Sequence, residues 1–290
     1  MPVAFASSHS KYHPLFDSEE GDIVLRSKED TLYRIPSFVL SNSCGHFRQL
    51  FAKTPCLISQ SQSHSPIPMS VQERDIVLEH LLRIICGLEI PIWKSLDLFE
   101  DIVALAEAWD APGPLSLLRS SLTAPLFLKE PIRLYGLTSR LQWDRERKIA
   151  SMYTLSLPLL SEPYLTQLQR LASKDVLDLM ILQRSRRDEF KNLIDEEMTF
   201  NAGNAHHFLC GGCATEIDNQ TWQALKLRMV FELDKRPLGD TIMDKMDEWP
   251  EALACWSAKC PNKGCERLYY DKAATMREIR SCMSLLPATV

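Results

Sequence analysis

The stretch Gly21–Phe51, GDIVLRSKEDTLYRIPSFVLSNSCGHFRQLF, decides the fold of the N-terminal half. Two short apolar runs, Asp22 to Leu25 and Leu32 to Ile35, suit strands, and the charged residues 27–30 between them suit a turn. Leu40, Cys44, Phe47 and Phe51 then recur at i, i+4, i+7 and i+11, one face of a helix, which Gly45 is expected to break in two. A hairpin alone is marginal in water, so the rest of the chain must supply the surface that covers this one.

Upstream, residues 1–20 are aperiodic and rich in Ser, His and Pro, and read as a flexible tail. Downstream, a Ser- and Pro-rich loop ends in a strand-like Ile67–Met69. Val77, Leu81, Ile84 and Leu88 form a helical stripe, and so do Leu98, Ile102, Leu105 and Trp109. Ser95 is placed to cap the second of these helices, with Asp97 in its first turn. The residues DAPGP stop it, and one short helix follows.

From Pro131 to Ile194 the pattern is almost wholly helical. Arg184, Arg186, Arg187, Asp188 and Glu189 read there as a solvated, mixed-charge helix face. After Thr199 the texture turns Gly-, His- and Cys-rich. Apolar stripes then return at Trp222, Leu225, Met229 and Leu233, at Ile242, Met246 and Trp249, and at Met276, Ile279, Met283 and Leu286.

The chain of 290 residues is 45% hydrophobic and 24% charged, the balance of a globular protein with real cores. A net charge of −5 counts against a nucleic-acid partner, whose phosphates must be met by Lys and Arg. It also counts against an anionic membrane surface. No window reaches the ~20 apolar residues that span a bilayer, and the N-terminus lacks the apolar core of a secretory signal. Nine cysteines without an export signal suggest reduced thiols, hence a cytoplasmic or nuclear protein.

Cysteine spacing is the most specific chemical signal. Cys210 and Cys213 flank two glycines that let the backbone turn tightly, and Cys260 and Cys265 bracket the turn-forming residues PNKG. Two such turns meeting give a closed, four-thiolate structural zinc site, for which His207 or Cys255 are substitute ligands. The competing reading is buried free thiols, because cysteine is among the most buried residue types. A thiol-redox centre at Cys210–Cys213 would need the pair to open a helix after a strand, and the preceding NAHHF does not read as one. Motifs of dinucleotide, P-loop, serine-hydrolase and zinc-protease chemistry are missing, so no enzyme and no catalytic residue is indicated.

The order of elements from Gly21 to about Leu122 resembles a BTB/POZ domain: strand, charged turn, strand, two short helices, loop, short strand, helix and a closing helix pair. The downstream order, with its Arg-rich helix, CxxC, Trp and second Cys group, is similar to BTB proteins of a family expanded in mushroom-forming fungi. Two departures stand out. The family's His-Lys pair falls at Pro36-Ser37, which leaves the strand aspartate, Asp22 here, without its basic partner. Its Ser-Pro-x-Phe becomes Cys44-Gly45-His46-Phe47.

The resemblance implies an α+β fold divided into a tail (1–20), a BTB/POZ domain (21–123), a helical extension (124–198) and a Cys-containing helical region (199–290). It implies protein–protein interaction rather than chemistry. Homodimerisation would use the first helix and the N-terminal segment, placing Val39, Leu40, Phe47 and Phe51 partly at an interface and partly in the core. Adaptor function for a cullin ubiquitin ligase would use Ile67 and Met69. A transcriptional or chromatin-associated co-regulator carrying a zinc module is the alternative from another class, and a thiol-redox protein the second.

Overall fold

The computed structural model describes residues 11–54 and 67–290. It is a small three-stranded sheet near the N-terminus followed mostly by helices, an α+β layout. The chain divides into two compact units, 1–129 and 130–290.

In the first unit, β1 (Ile23–Arg26) and β2 (Leu32–Ile35) pair antiparallel, with Ile23 opposite Ile35. Their turn closes through the Ser27 N–H, which donates to the Thr31 carbonyl at 3.0 Å, and Asp30 takes a positive φ of 66° there. The helical stripe after β2 divides where Gly45 predicts. α1 (Ser37–Ser43) ends at Cys44, which is extended, and α2 (Gly45–Lys53) begins immediately after it. The break leaves the first N–H groups of α2 without helical acceptors. Carbonyls elsewhere in the unit supply them: Gly45 donates to Asp110 at 2.8 Å and His46 to Trp109 at 3.1 Å.

β3 (Met69–Ser70) returns parallel to β1, giving the order β2-β1-β3. α3 (Asp75–Ile85), α4 (Leu96–Ala108) and α5 (Pro112–Ser121) complete the unit. Ser95 caps α4 by accepting from the Leu98 N–H at 3.2 Å, as its place in the sequence suggested. The stripe read as far as Leu88 stops earlier. α3 ends at Ile85, Gly87 adopts φ +68°, and Leu88 is left partly exposed.

Residues 11–20, read as part of a flexible tail, run against β2 instead. His13 donates to Leu32, Leu32 to Lys11 and Arg34 to Phe16, each at 2.8 Å. Phe16 is buried, and His13 stacks on Tyr33. The only apolar anchor is a single Phe, so no periodicity announced the segment. Residues 1–10 of that tail lie outside the described residues, as does most of the Ser-rich loop.

The second unit opens with α6 (Pro131–Arg140), α7 (Asp144–Thr154), α8 (Glu162–Leu168) and the long α9 (Ser173–Ile194). A short α10 (Asn201–Asn204) follows, then α11 (Gln220–Lys235), α12 (Asp240–Lys245), α13 (Pro250–Ser257) and α14 (Lys272–Leu285). One core cluster fills its C-terminal part. Phe190 and Ile194 of α9 pack with Trp222, Leu225, Met229 and Leu233 of α11, with Ile242, Met246 and Trp249, and with Met276 and Ile279 of α14. The three apolar stripes of the C-terminal sequence thus meet one another. The end of α9, read as part of a separate extension, belongs to the same core.

Arg186 corrects the reading of the Arg-rich run as solvated. It is 5% exposed, and its guanidinium donates to the carbonyls of Pro237 (2.8 Å), Pro287 (2.6 Å), Leu286 and Leu238 (both 3.4 Å). Burial lowers its pKa. Its neighbours Arg184 and Arg187 keep the expected surface pairing with Asp188.

Candidate metal centre

Two hairpins carry the thiols, and they are built alike. In the first, Leu209 bridges Glu216, Ile217 donates to Phe208, and the Cys210 N–H reaches the Thr215 carbonyl at 2.8 Å. In the second, Lys259 bridges Leu268, Tyr269 donates to Ala258, and the Cys260 N–H reaches the Arg267 carbonyl at 2.9 Å.

At each tip the last cysteine closes a turn and a left-handed residue follows. Cys213 donates to Cys210 and Cys265 to Asn262, while Ala214 and Glu266 take φ of 53° and 46°. The second loop is two residues longer between its cysteines, and its turn begins at Asn262 rather than at the first cysteine.

Each hairpin then feeds a helix that fixes it to the core. The first leads into α11, whose Trp222 donates to Asn204 Oδ1 at 2.9 Å. The same oxygen accepts from the buried Lys226 Nζ at 2.8 Å, and Lys226 also pairs with Asp195 at 2.6 Å. The second leads into α14, where Asp271 caps the helix by accepting from the Ala274 N–H at 3.0 Å.

The hairpins bring Cys210, Cys213, Cys260 and Cys265 together, with all four sulfurs within 4.8 Å of one another. Cys210 Sγ lies 3.6 Å from Cys265 Sγ, and Cys213 Sγ lies 3.4 Å from Cys260 Sγ. A tetrahedral site with Zn–S of ~2.3 Å has S···S edges of about 3.8 Å, so these spacings suit that ion. Gly212 permits the close approach, since a side-chain carbon there would stand 3.1 Å from the Cys265 sulfur.

A backbone N–H two residues on faces each sulfur: Gly212 for Cys210, Thr215 for Cys213, Asn262 for Cys260 and Arg267 for Cys265. Such donors stabilise thiolate, the form a metal requires.

The four thiols split electrostatically. The Thr215 hydroxyl and N–H hold Cys213 down to about 6, and the Gly212 N–H lowers Cys210. Cys260 feels the Asn262 N–H pulling downward, yet burial and the thiols of Cys213 and Cys210 push it up to about 12. Cys265 is likewise raised by the Cys210 thiol, against the pull of the Arg267 N–H. The set thus favours the thiolate at Cys210 and Cys213 and disfavours it at Cys260 and Cys265. A divalent cation resolves this repulsion by replacing the remaining protons.

Neither substitute ligand joins the group. His207 points to solvent and pairs with Glu216 at 3.0 Å. Cys255 is fully buried in the core of the second unit, where burial pushes its thiol up to about 12.

Of the residues assigned to protein contacts, Leu40, Phe47 and Phe51 are buried in the first unit. Val39 and Met69 are half-buried, and Ile67 is 76% exposed. Phe38 on α1, which no stripe singled out, is 65% exposed. Its one legible signal was an aromatic residue out of phase with its helix's apolar face.

Asp22 has a new partner in place of the missing basic residue. Its carboxylate accepts from the Ser37 N–H at 2.5 Å and from the Ser37 hydroxyl at 2.7 Å, closing the start of α1. No helix among the described residues is long and apolar enough to cross a membrane. No family model and no curated protein matches the chain.

Proposed function

We propose that the chain is a non-enzymatic protein-interaction adaptor, with a BTB/POZ-type self-association unit followed by a helical unit stapled by one structural zinc. The order of the first unit carries this reading: a hairpin, a split helix pair, a short strand parallel to the first, and three closing helices. The exposed Phe38 on α1, beside the half-buried Val39, is the apolar surface on which two copies would meet.

The zinc supplies no reaction in this reading. Cys210, Cys213, Cys260 and Cys265 would hold it, and it would fix two hairpins that lack enough apolar surface to fix themselves. Recruitment to a cullin ligase would use the exposed Ile67 and its neighbour Met69, and the compartment would be cytoplasmic or nuclear.

Sedimentation of the full chain against concentration tests the self-association. A dimer for the native chain and a monomer for Phe38→Asp is the expected result, and a native chain that is monomeric throughout defeats it. For the ligase arm, a cullin should co-purify with the native chain and be lost with Ile67→Asp/Met69→Asp. Its absence from both samples leaves a self-associating scaffold.

A further inference from the structure

Two sulfur pairs are in direct contact across the hairpins: Cys210 beside Cys265 at 3.6 Å and Cys213 beside Cys260 at 3.4 Å. In each of these pairs one sulfur belongs to a buried residue and the other to a half-buried one. Cys210 and Cys260 are 4% exposed, whereas Cys265 and Cys213 are partly open to solvent. The residues around the open members, Gly211, Gly212, Ala214, Gly264 and Glu266, are themselves exposed, so a small oxidant reaches the sulfurs without the core opening.

We propose that the centre is an oxidation site, at which a hydroperoxide converts the four metal-bound thiolates into the disulfides Cys210–Cys265 and Cys213–Cys260 and expels the metal. This rests on the zinc reading above and adds a regulation to it. It differs from CxxC redox chemistry, because the bonds formed join the two hairpins instead of closing either one.

The chemistry balances with the peroxide as sole oxidant. The thiolate of Cys265 or Cys213 attacks one peroxide oxygen; the O–O bond breaks and an S–O bond forms. The sulfur becomes a sulfenic acid, and hydroxide leaves to take up a proton as water. The buried partner, Cys210 or Cys260, then attacks that sulfur; the S–S bond forms and a second hydroxide leaves, again protonated to water. Each disulfide yields two electrons and consumes one peroxide and two protons. With all four thiolates consumed, no anionic sulfur remains to hold the cation, which passes to solvent.

The product keeps the hairpins tied. Each bond links the first hairpin to the second, so the covalent pair takes over the staple that the metal provided. Oxidation would therefore change the charge and surface of the tips while the helices behind them stay in place. A reductant, by attack on either disulfide, would restore the metal-binding form.

The test uses the reduced, zinc-loaded full chain titrated with hydrogen peroxide. Released zinc is read with a chromogenic chelator, disulfides are mapped by mass spectrometry under non-reducing conditions, and helix content is followed by circular dichroism. Two peroxides should release one zinc per chain, with the two cross-hairpin pairs formed and the helical signal retained. Disulfides within a hairpin, oxidation to sulfinic acid without pairing, or zinc retained through the titration would each overturn the proposal. If the reduced chain binds no zinc, the metal reading fails separately. Oxidising that metal-free chain then decides the pairing alone, since cross-hairpin bonds uphold it and any other pattern removes it.

Discussion

Cys213 and Cys260 lie 47 positions apart in the chain, yet their sulfurs stand 3.4 Å from each other. The helices behind the two hairpins hold the loops in place, and the four sulfurs they bring within 4.8 Å of one another form a tetrahedral donor set. The reduced chain should therefore bind one zinc or cobalt ion, the latter with the visible absorption of tetrahedral cobalt thiolate. Cys213→Ser or Cys260→Ser should lower zinc affinity by more than the ~10–100-fold that outer-shell changes cost. Chelator should lower the melting temperature of the native chain and leave that of the variants unmoved.

The same centre has a defined pH response. Metal binding displaces protons, so affinity falls as pH falls. The Thr215 hydroxyl and N–H favour thiolate at Cys213, while burial and the neighbouring thiols oppose it at Cys260, so a metal must displace protons from the set. Zinc occupancy, measured by competition with a chelator whose own protonation is corrected for, should rise with pH through the neutral range. A flat profile would contradict a thiolate donor set.

Asp22 and Ser37 make a second measurable pair. The carboxylate satisfies the first N–H of α1, which has no acceptor within the helix. Asp22→Ala should cost about 1–2 kcal/mol in denaturant unfolding, in the range of lost helix caps and charge-assisted hydrogen bonds. Ser37→Ala removes only the hydroxyl contact and should cost less. Equal losses would mean that the N–H contact contributes nothing.

His80 sets an acid limit on the first unit. It is 5% exposed; Nδ1 donates to the Ile76 carbonyl at 2.6 Å, and Nε2 has no hydrogen-bond partner among the described residues. Burial lowers its pKa below the ordinary 6.5, outweighing the Ile76 carbonyl. The unfolded chain thus takes up the proton first. The contribution of His80 is complete above about pH 6.5 and is lost progressively as pH falls toward the depressed folded value. His80→Leu should flatten the acid limb of the stability profile below pH 6.5. An unchanged limb would move its origin to other groups.

Arg186 offers a larger effect. Removing it strands the carbonyls of Pro237 and Pro287, to which it donates at 2.8 and 2.6 Å. Arg186→Met, which keeps most of the aliphatic volume, should still cost roughly 2–4 kcal/mol, because buried acceptors lose their donors. A loss below about 0.5 kcal/mol would return the residue to the surface class its neighbours occupy.

What the sequence disclosed follows from how its signals arise. Periodicity exposed the stripes of α11 and α14, because one apolar face buries along each; the stripe Ile242, Met246 and Trp249 starts on α12 and continues into the short turn that follows it. The Gly45 break was legible too, from the glycine itself, since the apolar stripe runs in phase across it. The four thiols were legible as two pairs, and only the fold could show that the pairs meet. Arg186 was not legible: a buried guanidinium served by four carbonyls looks, in sequence, like any charge in a charged run. Phe16 escaped for the opposite reason, as a lone anchor without a repeat. Asp22 was singled out without a partner in sequence, and the fold supplies Ser37 as its donor.

The span between the thiol hairpins also has a meaning in time. At a synthesis rate of roughly 5–20 residues per second, the first hairpin leaves the ribosome roughly 2–10 s before the second. For those seconds Cys210 and Cys213 form half of a donor set, able to hold a soft cation loosely or to wait without one. On the zinc reading, the centre closes only once the second hairpin has emerged, and which ion it takes depends on what the cell keeps free at that moment.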